Sequence, residues 1–249
     1  QMILDHDALT KGLIAYDSFA DQITKTRDVK PLKIMAGFWS DADSAIVRAY
    51  IERNYSLLFG RGDIADAVVN VAKGHEYNPV KQAIERVKWD GKPRAETYFI
   101  DYLGAENNDY TKAVTRAWLS GAVSRIYHPG CKFEMVPVLE GAQGIGKSTT
   151  VRNLYPDVFS DSLKSLGKSD EDYKKLQGAW VIELGELSAL NKTEIELVKS
   201  FISAQQDTYR ESYGHFAAPH MRKCVFIGTP NHQDYSKDST GERRSLQIQ

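Results

Sequence analysis

Eight consecutive residues carry the strongest chemical signal in the sequence: Gly141-Ala142-Gln143-Gly144-Ile145-Gly146-Lys147-Ser148, which spell G-x-x-x-x-G-K-S. The glycines let a backbone wrap an anion with its N–H groups turned inward, through φ/ψ values that other residues resist. Lys147 can reach the β- and γ-phosphates of a nucleoside triphosphate, and the Ser148 hydroxyl can hold Mg2+. The apolar run 135–140 in front reads as a strand. Residues 147–154 behind read as a helix, whose N-terminus adds partial positive charge. The expectation is a site for ATP and Mg2+, with residues 141–149 on the phosphates: Gly141, Ala142, Gln143, Gly144, Ile145, Gly146, Lys147, Ser148 and Thr149.

Hydrolysis needs acid beside the cradle. Trp180-Val181-Ile182-Glu183 is an apolar strand ending in a carboxylate, and Gly185-Glu186 follows closely. One carboxylate can enter the Mg2+ shell while another orients the attacking water. Glu183 is assigned to the metal side, and the base role stays open between Glu183 and Glu186. A third apolar run, 226–229, ends in Pro230-Asn231. Asn231 could sense the γ-phosphate or the water, although asparagine after proline is also an ordinary turn residue. Near the end, Thr240-Gly241-Glu242-Arg243-Arg244 places two guanidinium groups in a loop. Arginine keeps its charge and matches phosphate geometry, so Arg243 or Arg244 could serve a neighbouring subunit's ATP.

These residues require a frame. Ser40 to Asp43 resembles a capping box, with apolar residues at helical spacing behind it. Further helices are expected over 63–73, 79–88, 95–103 and 110–126. The second half switches to short apolar runs, 135–140, 179–184, 224–229 and 246–249, alternating with helices over 147–154, 170–177 and 193–204. Such alternation predicts an α/β layer with a largely parallel sheet. The expected organisation is a helical N-terminal domain over 1–128 and an α/β P-loop ATPase domain over 129–249. Both ends read as cut, so a longer protein is expected, truncated here in its C-terminal domain.

The formal net charge of −1 excludes a globally basic nucleic-acid protein, so any DNA contact must be local. The two cysteines, Cys131 and Cys224, are far apart beside apolar residues and suggest buried thiols of a reducing compartment. No run reaches the length of a membrane span and no signal peptide is evident, so the expectation is a cytoplasmic protein with no membrane partner.

The order of motifs resembles the virulence-associated protein E family, P-loop ATPases of phages and pathogenicity islands related to superfamily 3 helicases. The residues that carry the match are Trp89-Asp90-Gly91-Lys92-Pro93-Arg94, His128-Pro129-Gly130-Cys131-Lys132, the stretch 139–149, the stretch 180–187, Tyr209-Arg210-Glu211-Ser212-Tyr213-Gly214, and the stretch 240–244. The resemblance implies a AAA+-like core, a homo-oligomeric ring, expected to be a hexamer, and a role in replicating mobile-element DNA. Related helicases thread DNA past a hairpin that precedes the sensor strand. The matching stretch here holds Arg210, Tyr213, His215, Phe216 and Arg222, where cations could meet phosphates and rings could stack on the bases of single-stranded or forked DNA. The alternative is a surface hairpin whose aromatics belong to the core. A helicase is the leading expectation. A nucleotide-switched loader or replisome adaptor without unwinding activity is the rival, and a small-molecule kinase is weaker for want of a lid-like arginine segment.

Overall fold

A computed structural model describes residues 1–163, 170–185, 192–210, 217–230 and 245–248. The chain divides into two units, Gln1–Arg86 and Val87–Gln249.

The first unit comprises α1 (Met2–His6), β1 (Ile14–Asp17), β2 (Gln22–Lys25), β3 (Gly37–Phe38), α2 (Asp41–Tyr55), α3 (Arg61–Gly74), β4 (Glu76–Tyr77) and α4 (Pro79–Arg86). Its strands form one sheet in the order β3-β2-β1-β4. The first two pairings, β1 with β2 and β2 with β3, are antiparallel, and β4 joins β1 in parallel. Val47, Ile51, Ile64 and Val68 of α2 and α3 share a core with Ile14 of β1. The capping box opening α2 is present: Asp43 N–H donates to Ser40 Oγ at 3.4 Å, and Ser40 N–H donates to Asp43 Oδ2 at 2.8 Å. Lys25 reaches the same carboxylate at 2.7 Å.

The helical N-terminal domain expected from sequence is therefore corrected to a mixed unit with a four-stranded sheet. The strands are two to four residues long, too short to display a period of two.

The second unit comprises α5 (Tyr98–Leu103), α6 (Asp109–Tyr127), β5 (Val136–Leu139), α7 (Lys147–Leu154), β6 (Phe159–Ser160), α8 (Asp170–Lys174), β7 (Val181–Leu184), α9 (Lys192–Ser203), β8 (Gln206–Arg210), β9 (Ala217–Met221), β10 (Val225–Gly228) and β11 (Ser245–Ile248). Five strands form a parallel sheet in the order β11-β5-β10-β7-β6. Residues of β5, β7 and β10 are buried throughout, which explains their apolar spelling, interrupted in β7 by Glu183. The β8–β9 hairpin is antiparallel and stands outside that sheet.

The unit boundary at 86/87 lies well before the expected 128/129. The reason is α6, which helical periodicity alone places with the N-terminal domain. Trp118 is fully buried and donates its indole N–H to Phe226 O at 2.9 Å. Arg125 donates to Cys224 O at 2.8 Å, and Trp180 returns a bond to Ala122 O at 2.8 Å. Helix α6 is thus bolted to the parallel sheet. Among the described residues no helix is long and apolar enough to cross a membrane.

Candidate functional site

Three neighbouring strands deliver the chemistry. β5 runs beside β10, and β10 beside β7, all parallel, so their C-terminal ends open on one edge of the sheet. In open α/β sheets that edge is where ligands sit. The glycine-rich loop leaves β5 there and enters α7. Gly141 has φ +152° and Gly146, the N-cap of α7, has φ +94°. Side chains rarely tolerate either value, so the loop's path requires glycine at both points.

Lys147 begins α7 and is only 6% exposed. Its ammonium donates to Gly141 O at 2.8 Å and to Ala142 O at 3.1 Å. Both acceptors are neutral carbonyls of the loop itself, and no carboxylate pairs with this ammonium among the described residues. A buried cation satisfied only by dipoles retains attraction for an anion.

Glu183 lies in β7 and is also 6% exposed. Its Oε1 accepts hydrogen bonds from the Ser148 hydroxyl and from the Thr229 hydroxyl. Ser148 comes from α7, Glu183 from β7 and Thr229 from just past β10. The β7–β10 register sets Glu183 beside Ile227, and Thr229 N–H donates to Leu184 O at 3.2 Å, so Thr229 stands at the strand tip over Glu183. Two hydroxyls and a carboxylate form a compact oxygen set of the kind that hard divalent cations take.

The residues present fit ATP and Mg2+. The loop cradle, the anion-seeking Lys147 and the Ser148–Glu183 oxygen pair are the parts such a group needs, brought together in one place. Helix α5 braces the arrangement from outside, because Tyr98 Oη donates to Thr150 O of α7 at 2.9 Å.

Of the other residues expected from sequence, Glu186, Asn231, Arg243, Arg244, Tyr213, His215 and Phe216 lie outside the described residues. Arg210 is exposed at the end of β8. Arg222 is corrected: it is 3% exposed and cannot offer its guanidinium to a phosphate. It forms a bidentate pair with Asp207, both bonds 2.7 Å, donates to Phe201 O, and lies over the Phe201 ring at 4.5 Å. Thr229 is the residue that sequence reasoning missed. A hydroxyl at the end of an apolar strand was the available signal, but only the strand register sets it against Glu183.

The fold and the site together define a class: a parallel α/β domain whose glycine-rich loop joins a buried strand to a helix, with an acidic strand end beside it. A family model described as Virulence-associated protein E-like domain matches residues 84–249, and the chain belongs to that family. Among solved structures, the chain is similar to the A form apo structure of the NrS-1 C-terminal region, residues 305–718, with a TM-score of 0.53 and 13% identity over 96% of this chain and 58% of that one. A second A form apo structure of that region gives a TM-score of 0.54 and 14% identity, covering 94% of this chain. The chain spans 58% of each of these structures. No curated protein matches the sequence.

Proposed function

We propose that the chain is a Mg2+-dependent ATPase that works on DNA, a helicase in the replication of a mobile genetic element, acting as a homo-oligomeric ring. One observation carries the ATPase reading: Lys147, Ser148, Glu183 and Thr229 converge at the C-terminal ends of adjacent parallel strands. Membership of the Virulence-associated protein E-like family supports the replication reading, and the similarity to the NrS-1 C-terminal region bears on the fold alone.

The loop N–H groups of 141–149 cradle the phosphates, and Lys147 exchanges its carbonyl partners for the β- and γ-phosphate oxygens. Ser148 and Glu183 would hold the metal, which when bound neutralises charge developing on the transferred phosphoryl group. Thr229 orients the Glu183 carboxylate through its hydroxyl. The base that activates water is Glu183 or Glu186.

Phosphate release with purified protein tests the site. Lys147→Ala should lose hydrolysis by about 100-fold or more, the scale of removing one charge-stabilising donor. Glu183→Gln should be similarly impaired and lose its response to Mg2+. Wild-type turnover in both variants would remove the site from consideration. ATP-driven strand displacement on forked DNA then separates a helicase from a loader, which would hydrolyse ATP without unwinding.

A further inference from the structure

The segment 87–94 has no role in the site described above, yet it is built with care. Trp89 is 78% exposed, while Trp118 and Trp180 are buried at 0% and 7%. Its indole N–H donates to Lys92 O at 3.3 Å, so the polar edge of the ring is satisfied inside the loop. Asp90 staples the turn: Oδ1 accepts from Lys92 N–H at 3.1 Å and from Arg94 at 2.9 Å, and Oδ2 accepts a second Arg94 bond at 2.7 Å. Gly91 turns the chain at φ +84°. The Arg94 hydrogen bonds hold the Asp90 carboxyl down to about 2, so it stays charged at any working pH. A ring this large, held at its edge and open on its faces, presents a stacking surface already ordered.

We propose that Trp89 is a base-stacking platform for single-stranded nucleic acid, with Lys88 and Lys92 on the adjoining phosphates. Charge selects this occupant. Residues 87–94 hold Lys88, Lys92 and Arg94 against one carboxylate, Asp90, in a chain whose net charge is −1. Interleaved cations and rings suit single strands, whereas lysine is depleted from protein–protein interfaces. Tyr102, 67% exposed, adds a second open ring to the same unit. Tyr102 packs on Tyr98, ring centroids 4.9 Å apart, and Tyr98 donates a hydrogen bond to Thr150 O of α7. The inference rests on the DNA reading proposed above but uses a different surface from the β8–β9 hairpin.

The test titrates the full chain with an oligodeoxythymidylate and with an abasic strand of equal length, following tryptophan fluorescence and anisotropy of a labelled strand. Wild type should bind the base-bearing strand more tightly and show quenching. Trp89→Ala should weaken that binding by about 5- to 150-fold, the range for one stacked base, and leave abasic binding unchanged. Trp89→Phe should recover most of the affinity. Lys88→Gln with Lys92→Gln should lower the log–log salt slope by about 0.7 for each phosphate that is no longer neutralised. A Trp89→Ala protein that melts as wild type and binds the base-bearing strand equally well overturns the proposal. Equal weakening on both strands overturns stacking, and a change confined to subunit assembly, read by sedimentation, gives the surface to a second copy instead. A wild type that binds neither strand removes the DNA reading itself, and this proposal with it.

Discussion

Glu183 shows why a single buried carboxylate can organise a site. Two hydroxyls, from Ser148 and Thr229, converge on the same oxygen. Their roles differ in chemistry. In the proposed site Ser148 would pass to the metal, while Thr229, 4% exposed at a strand tip, would hold the carboxylate in orientation. A hydrogen bond to a charged group contributes about 1.5–3 kcal/mol. Thr229→Val keeps most of the side chain's volume and deletes the donor, so ATP hydrolysis should fall by about 10- to 150-fold with nucleotide affinity nearly unchanged. Ser148→Ala should cost at least as much and should also weaken the response to Mg2+. Steady-state phosphate release alongside titration of a fluorescent ATP analogue separates the two. Wild-type hydrolysis in Thr229→Val would reduce that residue to a space-filler.

Two polar pairs, one in each unit, anchor elements from inside. In the first, burial pushes the Asp43 carboxyl up, but the Lys25 ammonium, the Ser40 hydroxyl and the Ser40 N–H together hold it below its ordinary value. A depressed carboxylate stabilises the fold above its unfolded pKa and withdraws that stability as pH falls through the folded value. The first unit should therefore loosen below about pH 4, and Asp43→Asn should reduce that acid sensitivity, Asp7 keeping its own share, while lowering stability at neutral pH. Breaking a buried pair costs about 3–5 kcal/mol, and thermal melts across pH read both effects. The second pair is Asp207 with Arg222, whose side chains are 6% and 1% exposed. Asp207→Asn leaves a buried guanidinium without its counter-ion and should cost a similar amount. The same pair marks a limit of sequence reading. In sequence Arg222 groups with Tyr213 and Phe216 as cation and rings for a nucleic acid, whereas in the structure it lies over Phe201 and Phe226, which fall outside that stretch. By contrast β5, β7 and β10 were legible, because strands buried on both faces spell continuous apolar runs. The glycine loop was legible because its backbone angles demand its glycines. β1 to β4 were not, being too brief to show a period, and Thr229 was not, because register is a long-range property that no local window contains.

At the scale of the whole molecule, the parallel sheet fixes where the strand after Arg243 and Arg244 lies, and mixing experiments test where those arginines act. β11 pairs with β5 in parallel, Ser245 opposite Val136 and Ile248 opposite Leu139. The phosphate loop leaves β5 after Leu139. Ser245, the residue that follows Arg244 in the chain, is therefore paired at the far end of β5, three strand steps or about 10 Å from the start of the loop. Under the proposed action of Arg243 or Arg244 on a neighbouring subunit's ATP, hydrolysis depends on assembly. Hydrolysis should then rise steeply with protein concentration as subunits assemble. Mixing an Arg243→Ala, Arg244→Ala protein with a Lys147→Ala protein should restore activity, although each is inactive alone. Some interfaces in a mixed assembly pair an intact loop from one protomer with intact arginines from its partner. In a ring with random mixing, such interfaces arise at about one in four, so recovered turnover should approach a quarter of wild type, provided that each active interface fires independently. Absence of any rescue in assemblies shown to be mixed would instead assign the arginines to their own chain.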